Sequence, residues 1–241
     1  MKKLKYTEDW KINFPQCDIS SRLKITEISN IFQIIANNHA HLLEMDYRQM
    51  SAYNQAWVLS AMRIELEKLP TWNQTISNHT WIQEYIDGRA IRNFVQKHND
   101  KPFASLSSLW VVINTEKRRP EPLAVDISGI EFFPHEKVTQ SPIQRLNIQL
   151  EAQEIQQRKV LYSDLDVVGH VNNIKYMEWC LDLLPIDFHL KKKIKAIDLN
   201  YLRELNFGAE VTIYQTQQED GIYFYIKKAE TIVFAMRVEE R

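Results

Sequence analysis

Acidic, glycine and histidine residues that could act together on one substrate are concentrated at residues 163–179, in the string SDLDVVGHVNNIKYMEW. Asp164 and Asp166 precede a Gly169-His170 step, after which apolar residues recur at helical spacing. A carboxylate can attack a carbonyl carbon or activate a water molecule, and a histidine can transfer protons near neutral pH. The string therefore predicts Asp166 as a nucleophile or a general base.

The start of the predicted helix offers a second chemical group. Unpaired N–H groups at a helix N-terminus carry about half a positive charge, so the amides of Gly169 and His170 could hold an oxyanion. Asp164 and Asp166 can also be plain cap and turn residues, because aspartate is common at both places. The spacing alone favours that structural role.

Composition excludes several other kinds of chemistry. The chain has 241 residues with 30 Lys and Arg against 31 Asp and Glu, and this balance argues against a nucleic-acid partner. Only five glycines are present, and they lie far apart in the sequence, which excludes phosphate-binding glycine loops. Two cysteines and no HExxH string predict that the chain has no metal site and no cofactor.

Cysteine usage and hydropathy predict the compartment. The two cysteines, Cys17 and Cys180, are too few for a disulfide framework, and the sequence contains no apolar run long enough to cross a bilayer. We therefore expect a reduced, soluble, cytoplasmic protein that does not insert into a membrane.

Residues 1–125 read as one domain. A strand at 5–14 and turn residues at 18–21 precede a helix of about four turns, for which Thr26 or Ser29 could supply the N-cap. Strands follow at 57–68, 75–85, 89–97 and 103–114, separated by turn-forming residues.

The same pattern returns after a connector at 126–150, where prolines break the periodicity. Residues 151–241 contain a strand, turn residues, a helix from about His170 to Leu184 and four further strands. The strands and turn around Thr71-Trp72 in the first domain match those around Asn206-Phe207 in the second. The sequence thus predicts an α+β class built from two similar domains, each a helix against an antiparallel sheet; one unrepeated α+β domain is the alternative.

Several strings taken together resemble the acyl-acyl-carrier-protein thioesterases of plants and bacteria. They cover nearly the whole chain: TW at 71–72, TW at 80–81, SSLWVVIN at 107–114 followed by RRP, DLDVVGHVNNIKY at 164–176 and NYLREL at 200–205. The resemblance implies two hotdog domains in tandem. It also implies hydrolysis of fatty acyl-acyl carrier protein, with release of free fatty acid in fatty acid biosynthesis.

The resemblance assigns the reacting residues to the second domain. Asp166, His170 and Glu204 stand where the family has its aspartate, histidine and glutamate. Val168 stands in place of the family asparagine, which removes one hydrogen-bonding group. Leu205 occupies the position after the glutamate where a cysteine nucleophile has been considered, so that mechanism cannot apply here.

Substrate contacts follow from the same resemblance. Asn172 and Asn173, beside the reacting residues, are expected to bind substrate. The first domain has SSRLKITEIS in place of the aspartate-Gly-His start and is expected to house the acyl chain, with Trp57 and Met62 in its lining. His39 falls on the apolar face of the first helix and is expected to be a hydrogen-bonded core residue.

The expected partner is an acidic acyl carrier protein bearing its substrate on a phosphopantetheine arm. The basic run Lys191-Lys192-Lys193 with Lys195 could steer its docking or could be a solvated turn. Since sheet edges are usually covered, the fold is also compatible with a homodimer.

Three other functions remain open at the level of sequence. The chain could act on acyl-CoA rather than the carrier protein, or could bind acyl thioesters without hydrolysing them, which would account for Val168. A hotdog hydratase or dehydratase is disfavoured because the proline- and glycine-rich loop common in those enzymes is missing.

Overall fold

The computed structural model describes residues 5–191 and 194–241, which form two compact units. One contains the residues up to Ser60 and Ile64–Ile143, and the other contains Ala61–Arg63 and Gln144–Arg241. Within the described ranges, none of the helices combines the length and the apolar character that a bilayer span requires.

The first unit packs its helices against antiparallel strands that follow the order β1-β3-β4-β5-β2. The elements are β1 (Lys5–Lys11), α1 (Ile25–Leu42), α2 (Tyr47–Ser51), β2 (Gln55–Leu66), β3 (Thr75–Ile86), β4 (Arg89–His98), β5 (Lys101–Asn114) and β6 (Arg119–Pro120), which pairs with β5. The four predicted strands agree with β2 to β5 to within two residues at each end. Turn chemistry explains this agreement, since Asp87-Gly88 and Asn99-Asp100 adopt the positive φ angles that tight hairpins require.

Helix α1 is the core element of the first unit. Its apolar residues Ile28, Ile31, Phe32 and Ile35 are fully buried, as their helical spacing predicts. The predicted start is wrong, because the helix begins at Ile25 and its N-cap residue is Lys24, whose side chain makes no capping hydrogen bond. The tertiary burial of its apolar face, rather than a cap, therefore fixes where this helix begins.

The second unit repeats this arrangement with antiparallel strands in the order β8-β11-β10-β9-β7. Its elements are β7 (Gln153–Lys159), α3 (Asn173–Leu181), α4 (Ile186–Leu190), β8 (Ile194–Tyr201), β9 (Glu210–Gln218), β10 (Gly221–Lys228) and β11 (Thr231–Glu240). Residues 121–152, which include the predicted connector, contain neither helix nor strand. The predicted α+β class is confirmed.

Buried charges accompany the core of the second unit. Asp198 is 1% exposed, and its Oδ2 accepts hydrogen bonds from Arg63 Nη1 at 2.9 Å and Arg237 Nη2 at 2.7 Å. Arg237 also donates to Asp220 at 2.6 Å. Because two guanidinium groups surround the buried carboxylate, its charge is compensated where it would otherwise be costly.

Candidate active site

A closed turn at residues 166–170 forms the centre of the site. The Asp166 N–H donates to the carbonyl oxygen of His170 at 2.8 Å, and the Gly169 N–H donates to that of Asp166 at 3.1 Å. Gly169 lies at φ +82°, a conformation that glycine adopts without strain. The turn therefore holds Asp166 and His170 side by side before the helix begins.

The helix start and the role given to its amides need correction. Helix α3 begins at Asn173, not at His170. The amides of Gly169 and His170 belong to the turn, where the first donates to the Asp166 carbonyl and the second to Asp166 Oδ1 at 3.2 Å. Both N–H groups thus have partners, so the structure does not offer them as oxyanion donors.

The carboxylate of Asp166 uses its two oxygens differently. Oδ1 accepts the N–H groups of Val168 at 3.0 Å and His170 at 3.2 Å, which anchors the side chain to its own turn. Oδ2 has no hydrogen-bond partner among the described residues, and the residue is half-buried. One oxygen therefore orients the group while the other is left for chemistry.

His170 and Glu204 complete the cluster. His170 Nε2 lies 3.5 Å from Glu204 Oε2, and their side chains are 28% and 30% exposed. Two backbone contacts bring the segments together, a bridge between His170 and Asn206 and a hydrogen bond from Val171 N–H to the Leu205 carbonyl at 2.9 Å. The structure thus brings together the three residues that the resemblance assigned.

Two buried tyrosines support the segment that carries Glu204. The Tyr176 hydroxyl accepts the Leu205 N–H at 3.1 Å, and the Tyr201 hydroxyl donates to the Asn173 carbonyl at 3.2 Å. Burial raises the pKa of both hydroxyls, so they stay protonated at neutral pH. They tie helix α3 to the end of strand β8 and so fix the position of Glu204.

Asp164 and Asn172 have structural roles in this geometry. Asp164 is 4% exposed, and its Oδ2 accepts the Leu161 N–H at 2.8 Å. Asn172 is the N-cap of α3, with Oδ1 accepting the Ile174 N–H at 3.0 Å. If the Asn172 amide contacts substrate, it must do so while its oxygen caps the helix. Asn173 is the first residue of α3, and its side chain is half-buried.

Three further residues that the sequence singled out are an exposed valine, a buried cysteine and a buried histidine. Val168, which stands at the position of the family asparagine, is 46% exposed and has no polar side-chain atom. Cys180 is fully buried, and burial raises the pKa of its thiol, which makes it unreactive. His39 is also fully buried, and its Nδ1 accepts a hydrogen bond from Arg92 at 2.9 Å, in agreement with the core role expected for it.

Exposed apolar side chains surround the turn, a feature that the sequence analysis did not identify. They are Leu161, Tyr162, Val167, Val168 and Phe207, with Val167 98% exposed. A signal was present, since apolar residues inside a turn-forming string depart from the usual polar composition of turns. Such a surface suits contact with an apolar or amphipathic substrate.

The two residues expected to line an acyl pocket differ in their positions. Trp57 lines a cavity of about 220 Å³ within the first unit, together with apolar residues that include Ala36, Met45, Ile82 and Trp110. Met62 is 1% exposed but does not line this cavity, and it belongs with the second unit. The role expected for Met62 in lining the acyl site therefore stays a prediction, and this cavity does not support it.

The basic run at 191–195 lies partly outside the described residues, which omit Lys192 and Lys193. Lys191 pairs with Asp187 at 3.0 Å and Lys195 with Glu239 at 2.6 Å. Both described lysines are therefore engaged in surface ion pairs.

Comparison with known proteins assigns the family. The models of the acyl-ACP thioesterase N-terminal domain and C-terminal domain match residues 3–130 and 148–234. The chain belongs to the acyl-ACP thioesterase family. Among its relatives are the chloroplastic palmitoyl-acyl carrier protein thioesterase of Arabidopsis thaliana, 27% identical over 215 residues, and the chloroplastic oleoyl-acyl carrier protein thioesterase of Coriandrum sativum, 25% identical over 229 residues.

These plant relatives are longer than the present chain. Each match covers 83% of this chain but 52% and 59% of the two relatives. The chain therefore spans little more than half the length of the curated relatives it matches.

Solved structures share the fold over almost the whole chain. An acyl-ACP thioesterase from Bacteroides thetaiotaomicron superposes with a TM-score of 0.90 at 26% identity, covering 98% of each chain. The 12:0-ACP thioesterase from Umbellularia californica gives a TM-score of 0.78 at 21% identity, covering 100% of this chain and 98% of that one. The predicted tandem-hotdog fold is confirmed.

Proposed function

We propose that this chain hydrolyses the thioester of fatty acyl-acyl carrier protein and releases free fatty acid, ending chain elongation in fatty acid biosynthesis. The observation that carries the proposal is the meeting of Asp166, His170 and Glu204 in one half-exposed cluster of the second unit. The relatives named above are themselves called thioesterases or hydrolases of acyl-acyl carrier protein.

The reaction needs little assistance at the leaving group, because a thiolate is a good one. Asp166 Oδ2, the oxygen not used by the turn, either removes a proton from the water that attacks the carbonyl carbon and expels the thiolate, or itself attacks that carbon and expels the thiolate, giving a mixed anhydride that water then hydrolyses to the free acid. His170 and Glu204 position that water and transfer its proton. The N–H groups of Gly169 and His170 take no part in this scheme, because they already donate hydrogen bonds to the carbonyl oxygen and Oδ1 of Asp166.

We further propose that the two units have different roles. The second unit carries the reacting residues, and the first holds the acyl chain. The cavity lined by Trp57 supports this assignment, since its mostly apolar wall suits a hydrocarbon chain. The first unit pairs Arg22 with Thr71 as the second pairs His170 with Asn206, and this places Arg22 and Leu69 where the second unit has His170 and Glu204. Neither arginine nor leucine can replace these two residues in proton transfer.

The proposed partner is an acyl carrier protein. The proposed compartment is the cytoplasm, because a low cysteine content and two free thiols are typical of a reducing environment. The described lysines of the basic run are paired with acids, which argues against a dominant docking role for them. A homodimer also stays a prediction. Measurement of the oligomeric state in solution tests it.

The test is an assay of thiol release by the purified chain, with acyl-acyl carrier protein and acyl-CoA of matched length. We expect a higher kcat/KM for the carrier-protein substrate. A higher value for the CoA ester would replace the proposal with an acyl-CoA thioesterase. Binding of both without thiol release would identify a non-catalytic acyl-binding protein, the reading that Val168 favours.

A further inference from the structure

The wall of the cavity in the first unit includes a buried arginine. Arg92 lines the cavity and is 7% exposed. Its Nη1 donates to His39 Nδ1 at 2.9 Å and to Thr80 Oγ1 at 3.3 Å, and both partners are neutral acceptors in these contacts. Burial lowers the pKa of Arg92 to about 10, so the guanidinium still carries its charge at neutral pH.

No carboxylate among the described residues forms an ion pair with Arg92. Asp46 also lines the cavity, but its oxygens are used elsewhere. Oδ1 accepts the N–H groups of Arg48 and Gln49, and Oδ2 lies 2.6 Å from His41 Nδ1. A buried guanidinium with five N–H donors and only two neutral acceptors in hydrogen-bond contact retains donor capacity on its cavity side.

A second donor lines the same cavity. Gln33 Nε2 is buried and has no hydrogen-bond partner. An unsatisfied amide nitrogen is costly unless an acceptor reaches it. The wall combines apolar residues such as Met45 and Trp57 with the polar residues Asn37, Asp46 and Tyr47. Arg92 therefore offers the cavity N–H donors without an acceptor, and Gln33 Nε2 is a further unpaired donor buried in a residue of its wall.

We propose that this cavity selects acyl chains that carry an acceptor oxygen, a hydroxyl or keto group, on the part of the chain remote from the thioester. The proposal rests on the proposed function, in which the first unit holds the acyl chain. Water can satisfy Arg92 in the empty cavity, but a hydrocarbon chain that displaces this water leaves the guanidinium donors desolvated. An oxygen on the chain replaces the lost acceptor.

The first experiment measures binding without hydrolysis. Calorimetry compares methyl esters of fatty acids of one length, unsubstituted or carrying a hydroxyl or keto group at successive positions from mid-chain to the end. We expect at least one oxygenated ester to bind about tenfold more tightly than the unsubstituted one, as a hydrogen bond to a charged group implies. Equal affinities across the series would overturn the proposal.

Variants assign the preference to its donors. Replacing Arg92 by Met (R92M) or Gln33 by Leu (Q33L) should remove most of the preference while leaving affinity for the unsubstituted ester unchanged or higher. Q33L is informative even if R92M fails to fold, because the Gln33 amide has no partner to lose. R89M, an exposed arginine three residues away on β4, is the matched control and should keep the preference.

A third comparison separates the oxygenated tail from a bound reaction product. If the unsubstituted free acid, but not its methyl ester, binds in a manner that depends on Arg92, then the cation binds the product carboxylate and the proposal is wrong. Because none of these ligands is hydrolysed in the assay, a chain without thioesterase activity could still show the preference. Failure of the proposed function and failure of this inference are therefore distinguishable.

Discussion

The two units contain the same turn at equivalent places, but only the turn of the second unit has a histidine and a glutamate beside it. In the first unit Asp18 N–H donates to the Arg22 carbonyl at 2.7 Å, and Ser21 N–H donates to the Asp18 carbonyl at 2.9 Å. Asp18 Oδ1 accepts the N–H groups of Ser20 at 2.7 Å and Arg22 at 3.0 Å. This is the hydrogen-bond pattern of the Asp166 turn in the second unit.

The repeat extends beyond the turn. Arg22 forms a bridge with Thr71 as His170 does with Asn206. The first unit has no aspartate-Gly-His string, as its sequence shows, but Asp18 occupies the place of Asp166, with Ser21 and Arg22 in place of Gly169 and His170. The missing glycine concealed the match, because Ser21 adopts the positive φ, at 58°, where the second unit has Gly169.

The difference lies in what surrounds the second carboxylate oxygen. In the first unit Arg22 Nε donates to Asp18 Oδ2 at 3.2 Å, so both oxygens are used. In the second unit a histidine takes the place of this arginine, and Glu204 stands where the first unit has Leu69. The comparison shows that both units have the aspartate turn and that they differ in the groups around it, an arginine in the first and the His170–Glu204 pair in the second.

The largest effect expected from this comparison is on turnover. Asp166→Asn should lower kcat by about 100-fold or more, because the amide oxygen can still anchor the turn but cannot attack or accept a proton. Thiol release from acyl-acyl carrier protein measures it. Asp18→Asn, the matched change in the first unit, should leave kcat within about twofold; equal losses in both variants would show that the turn acts only through folding.

A smaller loss is expected from the pair at 3.5 Å, His170 and Glu204. His170→Ala and Glu204→Gln should each lower kcat by roughly 10- to 100-fold. The kcat of the double variant should be close to that of the less active single variant, because the effects of substitutions are not additive when the two groups act as a unit. Steady-state kinetics of the four proteins complete the cycle. Losses that multiply would mean that the two residues act independently.

The next effect concerns stability. Asp164→Ala should lower the free energy of unfolding by about 1–3 kcal/mol, because it removes the acceptor of the Leu161 N–H inside a buried site. Gln16 makes the equivalent bond to Asn13 N–H in the first unit and is half-buried, so Gln16→Ala should cost less. Urea unfolding of both variants provides the measurement, and a larger cost at Gln16 would contradict the expected order.

The smallest effect is expected at the glycine that differs between the turns. A Cβ at Gly169 would have no atom within 4 Å, so only the backbone conformation opposes Gly169→Ser. That strain costs about 1 kcal/mol and should lower Tm by about 2–4 °C, with kcat unchanged. Thermal unfolding checks this, with Ser21→Gly as the reverse change; loss of turnover in Gly169→Ser would show that the glycine has a role beyond the turn.

Local patterns predicted most elements because they depend on neighbouring residues. Alternation and hairpin residues such as Asp87-Gly88 specified the strands, and helical spacing specified the buried face of α1. The start of α3 was misplaced because Gly169 and His170 close a turn rather than a helix, and the bonds that select the turn include one from Val171 to Leu205, which is distant in the sequence. The loss of the two oxyanion donors follows from that misplacement.

By itself, the sequence determined the α+β class and the duplication, because both depend on periodicity, and the resemblance to a known family supplied the predicted set Asp166, His170 and Glu204. The tertiary structure decided which oxygen of Asp166 is not used by the turn, that Met62 does not line the cavity of the first unit, and that Arg92 does. These features depend on contacts between residues far apart in the chain, whose distances and desolvation exist only once the units have folded.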